Sequence, residues 1–330
     1  MDSTARGRGF AWYAWAVLGF NLAVILCEAV VRATGSVETC GAPWPLCQGL
    51  VIPHFNRITA VIEFAHRASS GIDLVLVGGL VYLAFRQFAR GDSVRRYATA
   101  AAFFTLTETL TGAALVLYGE VGKKISLSSV GILSLHLANT FLLLAALALT
   151  AWGTWEPASQ PTARKLVETR AGKPFRLRLA FGTGVVATFI VAIFGTIELF
   201  RAGSLVHAMH WDFAAPISPI MIVRIIYPLI AFVSGIYLLV LGAYEFLTGT
   251  PAARRLAEWL LGLVVLHLWT SVFSVLVISP IWRQVVNLFA TDLIWVALVV
   301  LAAEALGWRR AVPPVPPQLE LAAATGTPHP

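Results

Sequence analysis

The stretch SSVGILSLHLANTFLLLAALALTAWG, Ser128 to Gly153, contains no Asp, Glu, Lys or Arg and places His136 inside its apolar run. About 20 consecutive apolar residues cross a bilayer as a helix, which a soluble core helix rarely needs. Seven further runs of this kind occupy 11–32, 61–86, 97–119, 178–200, 219–246, 256–279 and 283–307. The first is too long for a signal-peptide core and has no small-residue cleavage site at its end, so it is read as a helix of the protein. The chain of 330 residues is 58% hydrophobic and 12% charged, half the charge of an ordinary globular domain. That excludes a soluble enzyme, a disordered chain and a disulfide-dense secreted scaffold. The expected fold is an all-α polytopic membrane protein with eight transmembrane helices.

The net charge of +7 is topological. Arg6, Arg8, Arg86, Arg90, Arg95, Arg96, Arg164, Lys165, Arg170, Lys173, Arg176, Arg178, Arg254, Arg255, Arg309 and Arg310 all fall on one side of the eight spans. By the positive-inside rule both termini are cytoplasmic and the protein sits in the plasma (inner) membrane. Its partner is then the lipid bilayer, and no nucleic acid is expected. A polar segment with Pro157 and Pro161 divides the chain after four helices. The expected organisation is a first four-helix bundle over 1–153, a cytoplasmic linker over 154–177, a second bundle over 178–308 and a disordered cytoplasmic tail over 309–330. Four helices, a linker and four helices suggest an internal duplication. Ile62-Glu63-Phe64-Ala65-His66 lies over Val223-Arg224-Ile225-Ile226-Tyr227, and Leu135-His136-Leu137 over Val286-Asn287-Leu288.

Ionisable groups in hydrocarbon are costly and are candidates for function. Glu63 and His66, three residues apart, share one helix face. At 1.5 Å per residue, His66 and His136 lie at similar depth, roughly 8 to 12 Å from the outer end of their helices. Two imidazoles facing each other across a bundle can hold a heme iron from both sides, with Arg67 available for the propionates. The competing reading is a hydrogen bond between packed helices. Zinc is a poorer fit, since a closed site takes four ligands and no cysteine lies nearby. The first outer loop, Thr34-Gly35-Ser36-Val37-Glu38-Thr39-Cys40-Gly41-Ala42-Pro43-Trp44-Pro45-Leu46-Cys47, has two cysteines seven apart. On an oxidising face Cys40 and Cys47 can close into a disulfide, as a structural clamp or as a redox pair. Cys27, mid-span, reads as a small hydrophobe. Glu28, Asp73 and Asp292 read as groups that satisfy partners inside the bundles. His267 reads as a packing residue, and His207 and His210 as solvated loop residues.

These residues together resemble the heme A synthase family. The features are Val31-Arg32-Ala33-Thr34-Gly35-Ser36, the Cys40 to Cys47 loop with Trp44-Pro45-Leu46, Ile62-Glu63-Phe64-Ala65-His66-Arg67, and Leu135-His136-Leu137-Ala138-Asn139-Thr140. The resemblance implies two four-helix bundles and oxidation of the C8 methyl of heme O to the formyl group of heme A, for terminal oxidases. It implies that His66 and His136 hold the substrate heme. It makes Glu63 the catalytic carboxylate, handling a proton or stabilising a cationic intermediate. Heme O synthase and the oxidase assembly machinery are the implied partners; the electron acceptor and any homo-oligomer are not specified. The family holds a heme b in the second bundle with another histidine pair. Here the sixth and eighth helices have no histidine, and Tyr227 and Asn287 stand at the matching positions. The chemistry would be the heme's, with the protein positioning it. The alternative reading is a non-catalytic heme-binding membrane protein acting in oxidase assembly or heme delivery.

Overall fold

The computed structural model describes residues 3–37, 39–41, 45–53, 57–117, 127–154, 175–199, 219–276 and 281–308. Eight long helices account for nearly all of them: α1 Ser3–Ala33, α2 Ile58–Gln87, α3 Ser93–Leu117, α4 Leu127–Gly153, α5 Phe175–Leu199, α6 Pro219–Thr248, α7 Pro251–Leu276 and α8 Ile281–Ala305. Each falls on one of the apolar runs. Among the described residues there is no strand, only an isolated bridge between Cys47 and Leu50. Seven helices are long and apolar enough across their described residues to cross a membrane. The other is α7, whose first turns carry Arg254, Arg255 and Glu258. The protein is a multi-pass, all-α membrane protein.

Helix ends follow local chemistry. Asp92 caps α3 by accepting the Val94 N–H at 2.9 Å. Thr250 caps α7 by accepting the Ala253 N–H at 3.1 Å, with Pro251 in the first turn, where its missing N–H is not needed. Helix α1 stops at Gly35, whose φ of 64° suits glycine. There the Ser36 N–H reaches Val31 O (2.9 Å) and the Gly35 N–H reaches Arg32 O (3.1 Å), a Schellman ending that satisfies carbonyls and turns the chain into the cysteine loop.

Helix α1 packs against α2 and α4, and α3 packs against α2 and α4, so the first four helices close into a ring. Helices α5 to α8 close in the same way, with α5 and α7 each against α6 and α8. The two sets meet along α4 and α8, flanked by α1 against α8 and α4 against α5. Exchanging α1, α2, α3 and α4 with α5, α6, α7 and α8 in turn leaves this pattern of neighbours unchanged. Trp295 of α8 donates its indole N–H to Phe141 O of α4 at 2.7 Å, and the two rings stand edge to face at 4.9 Å. Small buried residues such as Ala98, Ala101, Ala148 and Ala151 bring backbones close, which is how helices associate where lipid removes the hydrophobic drive. Outward-facing Phe103, Leu110, Val240, Trp259 and Trp269 are exposed, as a lipid-facing surface requires.

Candidate functional site: a cavity under the disulfide loop

Between α1, α2, α3 and α4 lies a cavity of about 370 Å³. Its walls include Asn21, Glu28 and Arg32 of α1, Glu63, His66, Arg67 and Asp73 of α2, Glu108 of α3 and His136 of α4. Val37 and Pro45 of the loop complete it. The structure therefore brings Glu63, His66, Arg67 and His136 to one cavity.

Glu63 is buried and fully engaged. One carboxylate oxygen accepts from the Arg67 guanidinium at 2.6 Å. The other accepts from the Cys40 backbone N–H at 2.7 Å and the Thr39 hydroxyl at 2.8 Å. Arg67 also donates to Leu46 O (2.6 Å) and Gly41 O (3.1 Å). Cys40 and Cys47 are joined in a disulfide and both are buried. The i, i+4 pair Glu63–Arg67 thus holds the disulfide loop over the cavity by five hydrogen bonds, counting the one within the pair.

His136 is oriented from behind. The Thr111 hydroxyl lies 2.9 Å from His136 Nδ1. The same hydroxyl can donate to Thr107 O at 2.9 Å, and in that arrangement its oxygen accepts from Nδ1–H. The other ring nitrogen, Nε2, faces Glu28 at 3.2 Å and Glu108 at 3.5 Å. Glu108 is itself held by Asn139 Nδ2 at 2.5 Å and by the Thr140 hydroxyl, and Glu28 pairs with Arg32. Glu28, Glu108 and His136 each bring a donor atom within 4.8 Å of the others. That donor set suits a cation taking carboxylate and imidazole ligands, while Arg32 already supplies a positive charge at Glu28. His66 has a buried Nδ1 with no hydrogen-bond partner.

Sequence reasoning left Glu28 and Glu108 outside the site. The available signal was their cost in hydrocarbon together with Arg32 four residues after Glu28. What joins them to His136 is packing of three helices, which no spacing within one helix reveals. Of the other histidines, His267 in α7 has a buried Nδ1 without a partner, while His207 and His210 lie outside the described residues. Tyr227 and Asn287 are half-buried. The Arg224 side chain, the 155–174 part of the linker and the segment from 309 onward also lie outside the described residues.

A protoheme IX farnesyltransferase of Thermus thermophilus is 37% identical over 287 residues, covering 83% of this chain and 45% of that protein. A heme A synthase of Staphylococcus aureus is 34% identical over 115 residues, covering 35% of this chain and 38% of the relative. The chain thus spans less than half the length of these curated relatives. The family described as cytochrome oxidase assembly protein (COX15-CtaA) matches residues 11–299. With that match running from α1 into α8, the chain belongs to the cytochrome oxidase assembly protein family.

Proposed function

We propose that this protein is a heme A synthase, an oxidoreductase that converts the C8 methyl of heme O to a formyl group for use in terminal oxidases. The observation that carries the reading is the shared cavity: His66 and His136 on facing walls of the first four-helix bundle, with Glu63 at its mouth beneath a disulfide-closed loop. The residues fit a porphyrin iron. The Thr111 contact turns His136 Nε2 inward, a backing hydrogen bond typical of metal-bound histidine, and the orphaned buried nitrogen of His66 is a donor in search of a partner. His66 and His136 would hold the heme iron. Glu28 and Glu108, now against Nε2, would yield that nitrogen to the iron and remain at the wall. Arg32 and Arg67 put positive charge at the loop end, where propionates would lie.

Bound heme supplies the redox chemistry of the site. The protein's own groups bind, orient and exclude water. Glu63 is the carboxylate assigned to the methyl under oxidation. Taking a methyl to a formyl group adds one oxygen from water and releases four electrons and four protons, so an electron acceptor outside this chain is required. The proposal includes the division into bundles 1–153 and 178–308, the linker 154–177 and the tail 309–330. It also places the protein in the plasma membrane with both termini cytoplasmic, and the heme O synthase that makes its substrate is a natural partner.

A second reading is a heme-binding assembly or delivery factor without catalysis. It is favoured by the lack of histidine in α6 and α8, where Tyr227 and Asn287 stand, since this removes the ligands for an electron-relaying heme b. Co-expression with a protoheme IX farnesyltransferase, followed by heme extraction and chromatography, separates the two. Heme A or its hydroxylated precursor is expected. Heme O alone, from a preparation with the low-spin spectrum of the bis-histidine site, would overturn the enzyme reading.

A further inference from the structure

The ring nitrogen of His136 that points into the cavity meets two carboxylates. Nε2 lies 3.2 Å from Glu28 Oε1 and 3.5 Å from Glu108 Oε1. With Thr111 accepting from Nδ1–H, Nε2 carries a lone pair, so three electron-rich groups from α1, α3 and α4 face one another. Each offers a donor atom within 4.8 Å of the others. Anions and a lone pair that converge inside a protein repel unless positive charge stands between them. Arg32 pairs with Glu28 Oε1, yet two carboxylates against one guanidinium leave the site negative. Glu28 Oε2 takes no part in either contact.

We propose that Glu28, Glu108 and His136 form an open three-ligand site for a divalent first-row metal ion, filled in the heme-free protein and emptied when heme iron takes His136 Nε2. Ligands held at about 2.1 Å from one ion stand about 3.0–3.4 Å apart at right or tetrahedral angles. The separations of 3.2 and 3.5 Å at Nε2 match those edges. A closed site needs four protein ligands, but an open one needs three and completes itself with water, for which the cavity of about 370 Å³ has room. One imidazole with two carboxylates suits Zn²⁺, Mn²⁺, Fe²⁺ or Co²⁺ better than Mg²⁺, which favours oxygen ligands and keeps its waters. The ligands are also backed from behind, as metal ligands are: Thr111 holds His136, and Asn139 and Thr140 hold Glu108. A proton on Nε2 lies along one line and serves chiefly the nearer carboxylate, whereas an ion takes all three donors. The site is complete without heme, so the inference goes beyond the heme reading. Ion and heme iron need the same lone pair, and heme loading therefore requires release of the ion.

The test uses the full-length, heme-free protein in lipid nanodiscs, stripped with a chelator and titrated with Co²⁺, whose visible absorption reports its ligands. One Co²⁺ per chain is expected, displaced by Zn²⁺ and unmoved by excess Mg²⁺. Thr111→Val should weaken Co²⁺ binding about 10- to 100-fold, the usual effect of losing a backing contact. Glu28→Gln, Glu108→Gln and His136→Ala each delete a ligand and should weaken it by more than about 100-fold. The two glutamine variants keep side-chain shape, so one serves if another substitution fails to fold. Protoheme added to the cobalt-loaded protein should expel one ion for each heme bound, read by metal analysis after desalting. No bound Co²⁺ in the unaltered protein, the result if a protonated His136 alone fills the gap, would overturn the proposal. So would undiminished affinity in the folded ligand variants, the mark of an adventitious ion only. Cobalt and heme retained together in one chain would overturn the shared use of His136. Binding of Co²⁺ without any binding of protoheme would uphold the ion site and defeat the heme reading instead.

Discussion

Replacing Glu63 tests whether this carboxylate acts only on substrate or also holds the loop. In Glu63→Ala the Cys40 N–H, the Thr39 hydroxyl and the Arg67 guanidinium lose acceptors at 2.7, 2.8 and 2.6 Å. Arg67 keeps Leu46 O and Gly41 O but becomes an uncompensated charge, and breaking such a buried pair costs about 3–5 kcal/mol. Glu63→Gln retains one acceptor oxygen and loses the charge, for a cost of about 1.5–3 kcal/mol. Stability in detergent should therefore fall in the order unaltered, Glu63→Gln, Glu63→Ala. Amide exchange at Cys40 should rise in the same order, because its N–H depends on that side chain. Arg67→Ala removes the clamp from the other side and leaves the carboxylate in place. If Glu63 also acts on the substrate, Arg67→Ala retains conversion at a reduced stability while Glu63→Gln abolishes it with heme still bound. Unchanged stability and unchanged Cys40 exchange in Glu63→Ala would refute the clamp. Equal conversion in Glu63→Gln and Arg67→Ala would refute a separate chemical role.

Removing either imidazole, by His66→Ala or His136→Ala, should abolish the low-spin bis-histidine absorption spectrum of reconstituted protein; a spectrum that survives both places the ligands elsewhere. Thr111→Val takes away the acceptor behind His136 Nδ1 without changing side-chain shape. It should weaken heme binding roughly 10- to 100-fold in a spectrophotometric titration, the usual effect of losing a backing hydrogen bond, and affinity within threefold of the original would count against this orientation. Glu28→Gln and Glu108→Gln relieve the carboxylate hold on His136 Nε2, so the heme on-rate in stopped flow should rise in each, and an unaltered rate would show that these contacts do not compete with iron. Trp295→Phe keeps the ring packing but deletes the hydrogen bond to Phe141 O, which should cost about 1 kcal/mol of stability.

The helices were legible because a bilayer simplifies the code. Ser128–Gly153 must be a helix if it crosses lipid, since no other open structure pairs all its backbone groups there, and α4 ends at the same Gly153. Glu63 and His66 were legible as one face of one helix. The clamp was not, because its acceptors and donors are backbone groups of Gly41, Leu46 and Cys40, whose chemistry is the same whatever side chain they carry. Arg67 illustrates the difference. Sequence offers it to a propionate; what sequence does not offer is its donation to two loop carbonyls and Glu63, beside Arg32 on the same cavity wall.

Glu28, Glu108, Asn21 and Asp73 were hidden for a different reason. Each reads along its own helix as a polar interruption that some neighbour could satisfy, and Asn21 and Asp73 do satisfy each other in part. Only assembly shows where each one leads: Glu28 of α1 and Glu108 of α3 converge on the same His136 Nε2, and Asn21 of α1 meets Asp73 of α2, all of them on the walls of one cavity. A polar interruption in a single helix thus acquires its meaning from the two or three helices packed around it, which is why spacing along one helix could not disclose it.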